Sequence, residues 1–185
     1  MKIILGSASP RRQNLLKELG YSFDVIVSDL EEIIDTTIPI ENVAIDLAKK
    51  KALALFSKID NNSLLICADT VVIYGNSILG KPNNRSEAIE YLSILSGNEH
   101  LVITGVFLIN SKKSIEFSET TRVRFKLLST EEIIHYVDHH HPYDKAGAYG
   151  IQDWIGLIGV ESIVGSYTNV LGLPTKILNE KIKSF

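Results

Sequence analysis

The sequence predicts a protein of the α/β class, and three observations carry that reading. An apolar run at the N-terminus feeds through a tight turn into a helix start. A second run, residues 64–74, is rich in β-branched residues and apolar on both faces, as expected of a central strand. Strand-like and helix-like patterns then follow one another along the remaining chain.

The first element is Ile3-Ile4-Leu5, a strand pattern, followed by Gly6-Ser7-Ala8-Ser9-Pro10-Arg11-Arg12. Ser9 is suited to cap a helix and Pro10 to occupy its first position, with Leu15, Leu16 and Leu19 at helical spacing until Gly20. The two arginines are out of place electrostatically. A helix N-terminus carries unpaired N–H groups and the positive end of the macrodipole, so cations there are unfavourable unless an anion joins them. The Ser7 and Ser9 hydroxyls, the exposed N–H groups and two guanidinium forks suit a polyphosphate. Simple solvation would explain one such arginine more readily than it explains this combination.

Residues 21–27 read as a second strand, ending in an acidic loop with Asp29, Glu31, Glu32 and Asp35. A helix is expected over residues 41–57. It carries Lys49-Lys50-Lys51, which point in three directions about 100° apart, so at most one or two can face any given cleft. In the run 64–74 the apolar pattern is broken by Asp69. A carboxylate inside a central strand is costly unless it is paired, hydrogen-bonded or bound to a metal, which makes Asp69 the leading catalytic candidate; tying off a bulge beside Thr70 is the structural alternative. Gly75-Asn76 marks a turn, and Gly80-Lys81-Pro82 holds a lysine in a stiff loop fit to aim an ammonium at a phosphate, or simply to be solvated.

A helix over 86–95 closed by Gly97, strands over 101–109 and 115–127 joined at Ser111-Lys112-Lys113, and a capping box at Ser129-Thr130-Glu131-Glu132 opening a helix to Val137 come next. His139-His140-His141 lacks the spacing of a zinc site and reads as a solvated or partner-facing tract. Residues 144–152 gather a carboxylate, an ammonium, two glycines and an amide with little periodicity, the composition of a ligand-approaching loop; Gln152 can donate and accept at a base edge. Gly165 to Pro174 is polar and bounded by glycine, with Asn169 orienting a neighbouring loop, and a helix to Lys183 ends the chain.

At 185 residues the chain fits one domain, 1–185, with or without two lobes. A net charge of −3 argues against non-specific nucleic-acid or anionic-membrane binding and makes the basic N-terminal cluster a local site. The single cysteine, Cys67, excludes an intramolecular disulfide and reads as a small buried hydrophobe. No signal-peptide pattern or membrane-length apolar run is expected, which points to a cytoplasmic protein.

In combination, Ser7-Ala8-Ser9-Pro10-Arg11-Arg12, Ala68-Asp69-Thr70-Val71-Val72, Gly80-Lys81-Pro82, residues 144–152 and Asn169-Val170-Leu171-Gly172-Leu173-Pro174 resemble the Maf family of nucleotide pyrophosphatases, in order and nearly end to end. The resemblance implies a long mixed β-sheet flanked by helices, in two lobes around a nucleotide-binding cleft (Maf/ITPase-like), and a homodimer. It implies hydrolysis of nucleoside triphosphates to the monophosphate and pyrophosphate with Mg²⁺ or Mn²⁺. By the same resemblance, Asp69, Glu32, Lys51 and Lys81 are catalytic, with Glu32 and Asp69 as metal ligands, and Ser7, Arg11, Arg12 and Gln152 bind substrate. Glu32 and Lys51 are singled out from their neighbours only in this way. Tyr149-Gly150-Ile151-Gln152 is similar to the subgroup acting on dTTP and UTP. The departures are the histidine tract and Trp154, directly after the Gln152-Asp153 pair.

Two other functions use the same residues. A nucleotide-binding regulator of septum formation would need only the basic cradle, whereas carboxylates beside a polyphosphate weaken binding unless a metal bridges them, which favours the enzyme. A phosphatase releasing orthophosphate would differ in its products.

Overall fold

Ile3, Ile4 and Leu5 are buried and extended, forming β1 (Lys2–Leu5) in a computed structural model that describes residues 1–30 and 33–185. β1 pairs in parallel with β2 (Phe23–Val25) on one side and β3 (Ser63–Tyr74) on the other. Parallel neighbours need crossovers, and the helices α1 (Pro10–Glu18) and α2 (Val43–Phe56) supply them. β2 is shorter than the strand expected over 21–27. It pairs only where β1 offers a partner, Ile3 to Leu5 against Phe23 to Val25, so the ladder ends with its neighbour.

A turn at Gly75 returns β3 into β4 (Ser77–Leu79), antiparallel to it. The chain continues through α3 (Arg85–Leu95), β5 (Glu99–Ile109), β6 (Ser114–Phe125), α4 (Thr130–His140), α5 (Trp154–Gly159), β7 (Val160–Val164), α6 (Tyr167–Val170) and α7 (Thr175–Ile182). Among the described residues seven strands form one mixed sheet in the order β2-β1-β3-β5-β6-β7, with β4 on β3 and β7 antiparallel to β6. β6 alternates exposed and buried positions, as its polar stripe predicts.

Two expectations needed correction. Helix α4 runs through His140 rather than ending at Val137: Tyr136 and His140 stack at 4.9 Å, His135 and His139 at 4.3 Å, and His141 caps the end in the left-handed region at φ 46°. Residues 154–164, for which no element was expected, form α5 and β7. Gly156 and Gly159 interrupt the apolar periodicity of α5, and β7 is largely exposed, so neither carries a clean pattern.

By contacts the chain forms two compact units. The first comprises Met1–Thr70, Thr104–Glu119 and Gly172–Phe185, with a core that includes Ile4, Ala48, Ala52, Leu55, Leu65, Cys67 and Phe107. Within it Gly105 of β5 lies so close to α2 that a Cβ there would overlap the backbone of Ala44 and Ile45. That approach seats α2 on the sheet. The second unit comprises Val71–Ile103 and Thr120–Leu171, with Leu92, Leu95, Phe125, Tyr136 and Ile155 in its core and α3 packed on α4. Among the described residues no helix is long and apolar enough to cross a membrane.

Candidate active site

The N-terminal turn forms as its sequence requires. Ser9 caps α1, its Oγ accepting from Arg12 N at 3.5 Å, and Pro10 takes the first turn. Ser7 is buried, and its Oγ accepts from Ser9 N at 3.3 Å. Gln13 Nε2 donates to the carbonyls of Ser7 and Ala8, bracing the turn from within the helix.

The conflict between Arg12 and the helix dipole is relieved within the protein. Its Nε donates to the Gly172 carbonyl at 2.8 Å, one terminal nitrogen to Thr70 Oγ1 at 3.0 Å and the other to Ser7 Oγ at 3.3 Å. Thr70 Oγ1 in turn meets Thr104 Oγ1, on the buried Thr104 of β5, at 2.9 Å. Arg12 is thus a clamp joining the turn, β3 and the Gly172 segment, as well as a cation at the helix start. Each of its three nitrogens meets a different acceptor around the guanidinium plane, a spread that the single nitrogen of a lysine does not reproduce.

Asp69 sits next to that clamp on β3. Its residue is 7% exposed. Oδ1 accepts from Thr70 N at 2.8 Å, and Oδ2 is engaged by Lys51 Nζ in an ion pair whose side chains are 10% and 14% exposed. The carboxylate is oriented from both sides, and the cost of burying it is offset by a partner. Of the three adjacent lysines, the fold selects Lys51. Lys49 and Lys50 point to the surface, with side chains 47% and 40% exposed, pairing with Glu116 and Asp46. Ser7, Arg12, Lys51 and Asp69 are therefore brought together in the first unit, with Arg11 half-buried beside them at the start of α1. Cys67 lies on the same strand, and burial pushes its thiol up to about 12, so it is not a nucleophile at neutral pH.

Lys81 and Gln152 belong to the second unit. Lys81 is exposed in the loop after β4, which is pinned where Gly147 N donates to the Gly80 carbonyl at 3.0 Å. Gly147 and Ala148 both take positive φ, 68° and 59°, giving the sharp turn that leads to Gln152. Gln152 is exposed, with Nε2 donating to Asp153 Oδ1 at 2.9 Å. Sequence reasoning left Lys145, Asp153 and Tyr136 without roles. Lys145, with a side chain only 12% exposed, pairs with Asp144 at 2.7 Å and reaches Asp153 at 3.7 Å. Tyr136 Oη donates to Asp153 Oδ2 at 2.8 Å; burial and that bond hold its hydroxyl well above the ordinary tyrosine range. The adjacent Asp144-Lys145 pair was the one local signal for this cluster; Asp153 and Tyr136 reach it only through the fold.

Asn169 was expected to orient a loop. It is fully buried, and its Nδ2 donates to the Val102 carbonyl of β5 and to Thr121 Oγ1 of β6, so it fastens α6 to the sheet.

Glu32, expected as a metal ligand, lies outside the described residues. Among the described residues no group of three or more His, Cys, Asp or Glu is placed to hold a metal. The histidines of α4 stack on rings and cap their helix. Asp69 nevertheless has lone-pair positions beyond the two taken by Thr70 and Lys51. This donor set fits a hard cation shared with phosphate oxygens rather than one enclosed by protein ligands.

The family model described as Maf-like protein matches residues 2–185. A dTTP/UTP pyrophosphatase of Bacteroides fragilis is 47% identical over 183 residues, covering 98% of this chain and 95% of that protein. One of Parabacteroides distasonis is 45% identical over 185 residues, covering 100% and 96%. Among solved structures, the Ham1 protein of Staphylococcus aureus matches with a TM-score of 0.52 at 15% identity, over 100% of this chain and 99% of that one, a likeness of fold.

Proposed function

The chain belongs to the Maf-like protein family, and we propose that it is a nucleoside triphosphate pyrophosphatase that converts dTTP and UTP to the monophosphate and pyrophosphate. The observation that carries this reading is the buried Asp69–Lys51 pair lying beside a capped, arginine-bearing turn in one unit. Polyphosphate recognition and an oriented carboxylate are the two things that hydrolysis of a phosphoanhydride needs from a protein. The names of the relatives give the nucleotide class.

In this reading Ser7, Arg11 and the N–H groups opening α1 bind phosphate oxygens, while Arg12 holds their geometry and adds its charge. Asp69 accepts a proton from the water that attacks the α-phosphorus. As the bond to the bridging oxygen breaks, Lys51 and Lys81 offset the charge gathering on the departing pyrophosphate. Gln152 contacts the base. Mg²⁺ or Mn²⁺ would be held by Asp69 with Glu32, and when bound would neutralise part of the triphosphate charge. A homodimer, implied by the family resemblance, and a cytoplasmic setting, where nucleoside triphosphates are kept, complete the reading.

The test is incubation of the purified protein with dTTP, UTP, CTP, ATP and GTP and Mg²⁺ or Mn²⁺, followed by separation of the products. Monophosphate with pyrophosphate, fastest from dTTP or UTP, is the expected result. Diphosphate with orthophosphate would make it a phosphatase, and binding without turnover a regulator. Gln152→Ala should reorder the nucleotides more than it lowers the maximal rate; a uniform loss on all five would remove Gln152 from base contact.

A further inference from the structure

Gln152 is not a free side chain. Its Nε2 donates to Asp153 Oδ1 at 2.9 Å, while Asp153 Oδ2 accepts from Tyr136 Oη at 2.8 Å and has Lys145 Nζ 3.7 Å away. Tyr136 is fully buried, and its oxygen also accepts from Gly150 N at 3.1 Å. Helix α4, the turn before Gln152 and the start of α5 thus converge on one carboxylate, all within the second unit. Gly150 belongs to the same arrangement. A Cβ there would lie 2.5 Å from Asp153 Oδ2 and 2.8 Å from Gln152 Nε2, so any side chain at 150 would displace the pair.

Resting on the reading of Gln152 as the group that contacts the base, we propose that Asp153 is a positioning residue. It locks the Gln152 amide in one of its two orientations and so makes the site take uracil and thymine in preference to cytosine.

The argument is one of donors and acceptors. A glutamine amide turned by 180° exchanges its carbonyl oxygen for its NH₂, and the two orientations differ only in what they bond. Uracil and thymine present an N–H donor at position 3 beside a carbonyl acceptor at position 4. Cytosine presents an acceptor at 3 beside an amino donor at 4. With sugar and triphosphate fixing where the base lies, one amide orientation matches the first edge and the flipped orientation the second. An unanchored glutamine would therefore serve both. A carboxylate only accepts, so beside Asp153 the bond exists with Nε2 inward and is lost when Oε1 turns in, where oxygen would face oxygen. The anchored amide keeps Oε1 and its second N–H for the ligand. Asp153 is itself held by Tyr136, so it does not turn to follow a flipped amide.

The experiment measures kcat/KM on UTP and on CTP separately, for the wild type and for Asp153→Asn and Asp153→Ala. Asn is nearly isosteric but offers Gln152 either an oxygen or an N–H; Ala offers neither. The wild type should favour UTP by roughly tenfold or more, and both variants should lower the UTP/CTP ratio by about fivefold or more, through KM rather than kcat. A purely structural role would cut both nucleotides by the same factor and leave the ratio untouched, and that result overturns the proposal. So does a wild type that takes the two equally. A wild type that releases pyrophosphate from no nucleotide overturns the function proposed above together with this inference, whereas turnover with an unmoved ratio removes this inference alone.

Discussion

Arg12 Nε donates to the carbonyl of Gly172 at 2.8 Å, a bond between the first turn of the first helix and a segment near the end of the chain. With Thr70 and Ser7 also bonded to the guanidinium, the fork and not just the charge is in use. Arg12→Lys keeps the charge and loses at least two of these bonds. It should lower stability by about 1–2 kcal/mol and kcat/KM by roughly tenfold or more. Denaturant unfolding and steady-state kinetics measure the two. A lysine enzyme matching the wild type in both would reduce Arg12 to a point charge.

Asp69 is expected to be needed for turnover and dispensable for binding. Asp69→Asn preserves the shape and the bond from Thr70 N but removes proton acceptance and the charge facing Lys51. Turnover should fall by about 10²–10⁴-fold, the usual contribution of a general base, while a non-hydrolysable triphosphate analogue still binds. Near-normal turnover would assign the base elsewhere.

How much of this was readable beforehand depended on range. The Ser9 cap, Pro10, the Ser129–Glu132 box and the apolar run around Asp69 act over a few residues, and each formed as expected. Lys51 could not be picked from three adjacent lysines because the rotation of α2 about its axis is set by packing, at Gly105 among other places. The use of Arg12 as an internal clamp, and of Tyr136 and Asp153 behind Gln152, rests on partners brought together by the fold. Only motif order, compared with a known family, pointed to the proposed catalytic set as a whole. No local pattern announced α5 or β7, since glycines break one and solvent faces much of the other.

Gly105 makes that packing testable. A methyl at this position would overlap the Ala44–Ile45 backbone, which cannot swing away as a side chain could. Gly105→Ala should lower stability by about 2–3 kcal/mol through overpacking. Since α2 carries Lys51, activity at a temperature where the variant is fully folded should fall as well. Loss of stability with full activity would show that α2 recovers its position over Asp69.

His100 gives the fold an acid limit. Its ring is buried in the second unit, 5.6 Å from the Phe125 ring, with Nε2 bonded to Tyr149 Oη at 2.7 Å and Nδ1 without a hydrogen-bond partner among the described residues. Burial pushes its pKa from 6.5 down to about 4, so the folded protein holds the ring neutral where the unfolded chain binds a proton. The unfolded state takes up more protons between these values. Stability is therefore undiminished by this group above about pH 7 and falls as pH drops from about 6.5 toward 4, by about 3 kcal/mol over the interval. Carboxylates add to acid sensitivity, so the diagnostic quantity is a difference. His100→Gln, which can still bond Tyr149, should be less stable than the wild type at pH 8, and its deficit should shrink or reverse by pH 4.5. Urea unfolding of both proteins across this range measures it. A deficit that stays constant with pH would mean that His100 protonates as readily in the folded protein as in the unfolded chain.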